Sequence, residues 1–140
     1  MESLDAMFLH ATEGIIIVNA KGEIVKANPS SEKLFGYLPG ELINKEVEEL
    51  IPKRFAEKHH QHRDNYNQNP HPRSMGKNMT LYGMRKDKSE FPVEISLSHY
   101  KSDNEILVIA FITILKSFRI SGFNNFKVYP FKFIVSNAKL

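Results

Sequence analysis

Asn28-Pro29-Ser30-Ser31-Glu32-Lys33-Leu34-Phe35-Gly36-Tyr37 and, further along the chain, Arg85-Lys86-Asp87-Lys88-Ser89-Glu90-Phe91-Pro92-Val93-Glu94 are the two stretches whose reading decides the fold. In the first, Asn28 is suited to cap a helix and Pro29 to occupy its first position, where a missing N–H costs nothing. Leu34 and Phe35 continue a short helix, and Gly36 ends it in the left-handed geometry that glycine tolerates. In the second, the polar segment from Arg85 to Glu90 is a turn that delivers a strand. There Val93, Ile95 and Leu97 face one way, while Glu94, Ser96 and Ser98 face the other.

The neighbouring segments extend this pattern. Gly14-Ile15-Ile16-Ile17-Val18 is a β-branched run, Asn19-Ala20-Lys21-Gly22 a turn with Gly22 free to take positive φ, and Glu23 to Ala27 a returning strand. Pro39 is predicted to open another short helix, with Glu41 near its N-terminus. Pro52 is predicted to start a longer, polar-faced helix that runs from Lys53 to about Asn67 and is broken by Asn69-Pro70-His71-Pro72. Met79 to Met84 and Phe91 to Ser98 read as strands, Lys101 to Glu105 as a polar turn, and Ile106 to Ile112 as a nearly continuous apolar strand. The order is two strands, several short helices, then three strands. That order predicts an α+β fold: a five-stranded antiparallel sheet with short helices packed on one face. Ahead of it, Leu4, Met7, Phe8 and Ala11 have helical spacing, which predicts a short amphipathic helix covering one edge of the core or pairing with a second subunit.

Length and composition narrow the function. A chain of 140 residues with 41% hydrophobic residues is sized for one small core. It has no apolar run long enough to span a membrane and no signal-peptide pattern, which points to a cytoplasmic protein. It has no cysteine, which excludes disulfides, thiolate metal sites and thiol nucleophiles. The net charge of +3 is unevenly spread. Residues 1–115 carry 14 basic and 16 acidic side chains, a net of −2, whereas residues 116–140 carry five basic and none acidic. The basic balance therefore belongs to the tail, and the body of the chain gives no support to a nucleic-acid partner.

In order and spacing, the motifs resemble those of PAS sensory domains of the bacterial sensor histidine kinase type. The matching positions are Gly14, Asn19, Gly22, Ile24, Asn28, Leu34-Phe35-Gly36-Tyr37, Glu41-Leu42-Ile43, Pro52, Gly83, Arg85-Lys86-Asp87 and Phe91-Pro92. The resemblance covers about residues 11–113 and sets the PAS domain at 11–115, after the N-terminal helix at 1–10 and before a basic, aromatic tail at 116–140. It implies a small-ligand pocket between sheet and helices, dimerisation, and a signal passed through the last strand. Three positions depart from the family pattern. Asn44 and Lys88 stand where glycine is usual, and Lys88 predicts a looser turn. Ile114 stands where an Asp begins the segment that normally leads into a kinase helix. The tail carries no kinase, cyclase or DNA-binding signature; alternation at Phe131, Phe133 and Val135 permits an extra strand.

The chemistry that these residues support is binding rather than catalysis. Ser30, Ser31 and His59 have no triad spacing, no glycine-rich phosphate loop is present, and Glu46, Glu48 and Glu49 read as a solvated face. His59 and His62 share a helix face, but no carboxylate in sequence completes a metal-ligand set, and solvated histidines are the expectation. In oxygen-sensing haem PAS domains a His on this same helix is the proximal iron ligand, and the resemblance places His59 there. The distal Arg of those domains is replaced by Met79, with Met75 nearby; a Met can ligate iron or simply fill core space. Thiol-linked flavin and coumaroyl chromophores are excluded by the absence of Cys. The expected cofactor-contacting set is His59, Met79, Phe55, Ile51, Leu81, Ile95, Val108 and Ala110. The wider pocket or core list adds Ile15, Ile17, Ile24, Leu34, Phe35, Leu42, Ile43, Leu97 and Ile112. The readings carried forward are a signal-sensing module binding a small ligand, a haem-based gas or redox sensor, and a ligand-free dimerisation module.

Overall fold

The computed structural model describes residues 3–74, 80–117 and 127–128. Its element order is α1 (Ser3–His10), β1 (Gly14–Val18), β2 (Ile24–Ala27), α2 (Pro29–Phe35), a 3-10 turn (Val47–Leu50), α3 (Lys53–Gln68), β3 (Arg73–Ser74), β4 (Leu81–Met84), β5 (Glu90–Ser102), β6 (Glu105–Ile114), β7 (Lys116–Ser117) and β8 (Lys127–Val128). The sheet is antiparallel and ordered β2-β1-β6-β5-β4, with the two-residue β3 continuing the outer position beside β5. The centre is the β5–β6 ladder, in register from Val93 opposite Ile114 to Ser102 opposite Glu105. It outruns the sequence expectation because Asp103 and Asn104, both at positive φ, make a two-residue hairpin turn that lets pairing continue to Ser102. A separate pair joins β7 to β8.

Strand alternation settles which apolar residues are core. Ile16 and Val18 of β1 face the helices, with Ile24, Phe35, Leu42, Leu50, Phe91, Val93 and Ile112 completing the buried cluster. Ile15 and Ile17 sit on the opposite face of the same strand, opposite Phe111 and Ile109 of β6, so their expected place in the pocket is corrected.

The two motifs that opened the sequence reading meet in space. The rings of Phe35 and Phe91 pack edge to face at 5.3 Å, Lys86 donates its backbone N–H to the Phe35 carbonyl at 3.0 Å, and Lys86 pairs with Glu41. Asn28 is fully buried and uses its whole hydrogen-bonding capacity. Its Oδ1 accepts from the N–H groups of Ser31 (3.0 Å) and Ile15 (2.8 Å), and its Nδ2 donates to the carbonyls of Phe8 and Glu13, both at 3.0 Å. One side chain thus caps α2 and ties it to β1 and α1.

Three local expectations change. The segment after Pro39 is a series of turns, not a helix, closed by Glu41 N–H to Leu38, Ile43 N–H to Gly40 and Lys45 N–H to Leu42. Lys88 takes φ 75° in a turn that is fully bonded rather than loose, with Lys88 N–H on Arg85 O at 2.9 Å and Arg85 N–H on Ser89 O at 2.8 Å. Asn44 likewise takes positive φ, as its residue type allows. Helix α1 buries no residue and leaves Leu4 and Met7 78% and 68% exposed, so it covers little of the core. The strand expected around Phe131 to Val135 lies outside the described residues.

Candidate ligand cavity

Helix α3 is polar along its length and buries only Tyr66. What holds it over the sheet is a set of polar clamps. At its start Arg54 reaches Glu90 of β5 with both guanidinium nitrogens at 2.6 Å. Toward its end Arg63 donates from Nη1 to the Lys21 carbonyl at 2.9 Å, and Asn67 donates to the Ala20 carbonyl at 3.2 Å, both in the β1–β2 turn. Gly22 makes room for this: a Cβ there would lie 1.2 Å from Arg63 Nη1.

Midway, Glu48 rises from the 3-10 turn into the helix. It is only 6% exposed, and its Oε2 accepts from His59 Nδ1 at 3.0 Å. Its Oε1 lies 3.0 Å from His60 Nδ1 and 2.9 Å from Arg63 Nη1. Neither contact is aligned as a hydrogen bond; Arg63 acts on the carboxylate through its charge, and its Nη2 donates to His60 Nδ1 at 3.0 Å. Burial pushes the Glu48 carboxyl upward and is the largest single influence on it. The His59 hydrogen bond, the Arg63 guanidinium and the two neighbouring imidazoles together outweigh burial and hold it below its ordinary value. The expected solvated face of Glu46, Glu48 and Glu49 is therefore corrected at Glu48. Glu46, Glu48 and His60 bring one ligand atom each within 4.8 Å of one another, but the carboxylate they share is already neutralised by Arg63.

Between α3 and the sheet lies a cavity of about 300 Å³. The sheet lines it with Leu81, Val93, Ile95, Leu97, Val108, Ala110 and Ile112. Register explains the set, since Leu97 is opposite Ala110 and Ile95 opposite Ile112, all on the helix side. Phe55, Lys58, His59, His62, Arg63, Tyr66 and Asn67 line it from α3, a three-and-four spacing that is one helix face. Phe35, Val47, Leu50 and Ile51 close one side.

Of the expected set, His59, Phe55, Ile51, Leu81, Ile95, Val108 and Ala110 all line this cavity; Met79 and Met75 lie outside the described residues. Ile24 and Leu42 are fully buried core that does not reach the cavity, Leu34 packs against that core, and Ile43 turns outward. Sequence reasoning missed Glu48. A carboxylate within helical reach of no single cation gives no local signal, because its partners come from the next element. A carboxylate only accepts, so His59 Nδ1 is the donor in this hydrogen bond and Nε2 is the ring nitrogen left free of it.

The order of strands, the helix arched across one face and the enclosed space beneath it define an α+β fold of the sensor class. The PAS domain family profile matches residues 12–117, and the chain belongs to that family. Among its relatives are the oxygen sensor protein DosP of Escherichia coli, 26% identical over 112 residues, and the sensor protein FixL of Bradyrhizobium diazoefficiens, 25% identical over 100 residues. These alignments cover 77% and 71% of this chain but only 14% and 20% of those proteins. The crystal structure of a PAS domain of an HTR-like protein from Haloarcula marismortui superposes with a TM-score of 0.68 at 20% identity, covering 80% of this chain and 88% of that one. Among the described residues no helix is long and apolar enough to cross a membrane.

Proposed function

We propose that this chain is the sensory module of a two-component type signal-transduction protein, acting in the cytoplasm, and that it takes a small molecule into the cavity beneath α3. The observation that carries the reading is the cavity itself: about 300 Å³, apolar on the sheet side, and roofed by a helix that polar clamps rather than hydrophobic burial hold in place. A ligand would supply the apolar contact that α3 lacks and so favour one placement of the helix over the sheet. Val108, Ala110 and Ile112 of β6 would touch it directly, and the strand would carry the shift toward its end at Ile114 and the residues beyond. The role is binding and relay; an output module such as a histidine kinase belongs to the proposal as the downstream partner. The test is a thermal-shift screen of small molecules against the wild type and Ala110→Phe, which fills the cavity. Ligands that stabilise the first and not the second support the reading; a screen in which both respond alike contradicts it.

A second reading, a haem-based gas or redox sensor, is supported by His59 and requires the cavity of about 300 Å³, smaller than a haem macrocycle, to open by movement of α3. The ring lines the cavity with Nδ1 held by a buried carboxylate, the arrangement that fixes a ligating imidazole and raises its basicity. His59 would hold the iron, and haem would supply gas binding. Expression with haem followed by absorption spectroscopy tests this: a Soret band lost in His59→Ala supports it, and a featureless spectrum removes it. Homodimerisation is also part of the proposal, through the exposed Leu4 and Met7 of α1. Sedimentation of Leu4→Glu/Met7→Glu as a monomer would support it, and an unchanged sedimentation profile would not.

A further inference from the structure

The inner face of α3 has a one-sided charge pattern. Lys58, His59, His62 and Arg63 line the cavity, and no Asp or Glu does so among the described residues. The acids of the same helix, Glu57 and Asp64, fall off that face by helical geometry. Glu48 lies behind His59 and Arg63 and offsets the guanidinium, but it does not line the cavity. Lys58 and His62 stand at the exposed edge of the roof. Opposite them the sheet offers mainly aliphatic surface, from Ile95, Leu97 and Val108, with Asn19, Thr80 and Tyr82 as the polar exceptions in the lining.

From this we infer the class of ligand: an organic acid with an apolar body and a terminal carboxylate, the body lying on the sheet and the carboxylate facing Lys58, His62 and Arg63. The inference rests on the small-ligand reading above and deepens it. A cavity of about 300 Å³ is at the small end of ligand sites. At about 30 Å³ per water-sized group it holds on the order of ten non-hydrogen atoms, the size of a medium-chain fatty acid or a small aromatic acid. The largely apolar floor disfavours a fully polar acid, because it offers few partners for internal hydroxyls or amides. The basic roof disfavours a cationic amphiphile of the same length.

The test is titration of the full chain at neutral pH with octanoate, octanol, octylammonium and haemin, followed by thermal shift and by absorbance for haemin. Octanoate is expected to bind about tenfold more tightly than octanol, as one charge-assisted contact of about 1.5 kcal/mol implies, with octylammonium weaker than both. In Lys58→Gln/His62→Gln, which leaves the Glu48 cluster intact, octanoate affinity is expected to fall to that of octanol, while octanol binding stays unchanged. Octanol binding as tightly as octanoate overturns the acid assignment and leaves the small-ligand reading standing. Haemin binding stoichiometrically while octanoate does not overturns it in favour of a tetrapyrrole. No binding by any probe overturns it and counts against the small-ligand reading as well.

Discussion

Replacing Glu48 tests the clamp that holds the roof of the cavity. The carboxylate is buried and lies within 3.0 Å of His59, His60 and Arg63, hydrogen-bonded to His59 and paired by charge with Arg63. Breaking a buried pair by removing one partner costs about 3–5 kcal/mol when the other charge is left uncompensated. Here Arg63 keeps its bond to the Lys21 carbonyl, so the loss in Glu48→Ala is expected nearer the lower figure, about 3 kcal/mol. Glu48→Gln keeps the shape and one acceptor and is expected to lose about 2 kcal/mol. For a chain of this size that is a fall in Tm of roughly 6–8 °C for the Gln variant. The acid limb gives an independent signature. The folded carboxyl is held below its ordinary value, so its contribution to stability is fully present above the unfolded-state value and is lost as pH falls through the folded one. Wild-type stability should therefore drop on acidification more steeply than that of Glu48→Gln, which has no such group. Urea unfolding from neutral to acid pH measures both effects. A loss under about 0.5 kcal/mol at neutral pH, the size of an exposed ion pair, would refute the reasoning, as would parallel acid limbs.

Further outcomes follow from the same contacts. Asn28→Ala removes a helix cap and orphans up to four backbone groups; denaturant unfolding should show a loss of at least about 3 kcal/mol. Gly22→Ala adds a Cβ into Arg63 at φ 86°, where the backbone strain alone is about 1–2 kcal/mol; faster amide exchange in the second half of α3 should accompany the loss. Lys88→Gly relieves a left-handed non-glycine residue and should raise stability by no more than about 1 kcal/mol, measured by thermal unfolding. Ala110→Phe should keep the fold and abolish uptake of whatever small molecule the wild type binds.

The parts of the fold legible in sequence were those written in local chemistry. Asn28-Pro29 and Gly36 set the ends of α2, and the β-branched run at Ile15 to Val18 marked a strand. The alternation at Val93, Ile95 and Leu97 marked the inner face of β5. The extra length of β5 and β6 depended on a turn of two left-handed residues, Asp103 and Asn104, read only as part of a longer polar turn. Pocket residues on the sheet were legible as apolar positions, but pocket and core could not be separated before the register was known. Ile15 and Ile17 differ from Ile16 and Val18 only in facing the other way. His59 was legible as a helix-face residue. Its partner Glu48 was not, because the pairing spans two elements and depends on how α3 lies over the preceding turn.

Occupancy of the cavity is expected to reach β6. Hydrogen exchange of the β6 amides from Val108 to Ile114, with and without a ligand found by the thermal-shift screen, tests it most directly. The account predicts slower exchange along that strand on binding, absent in Ala110→Phe. Saturating ligand with unchanged β6 exchange in the wild type would contradict it.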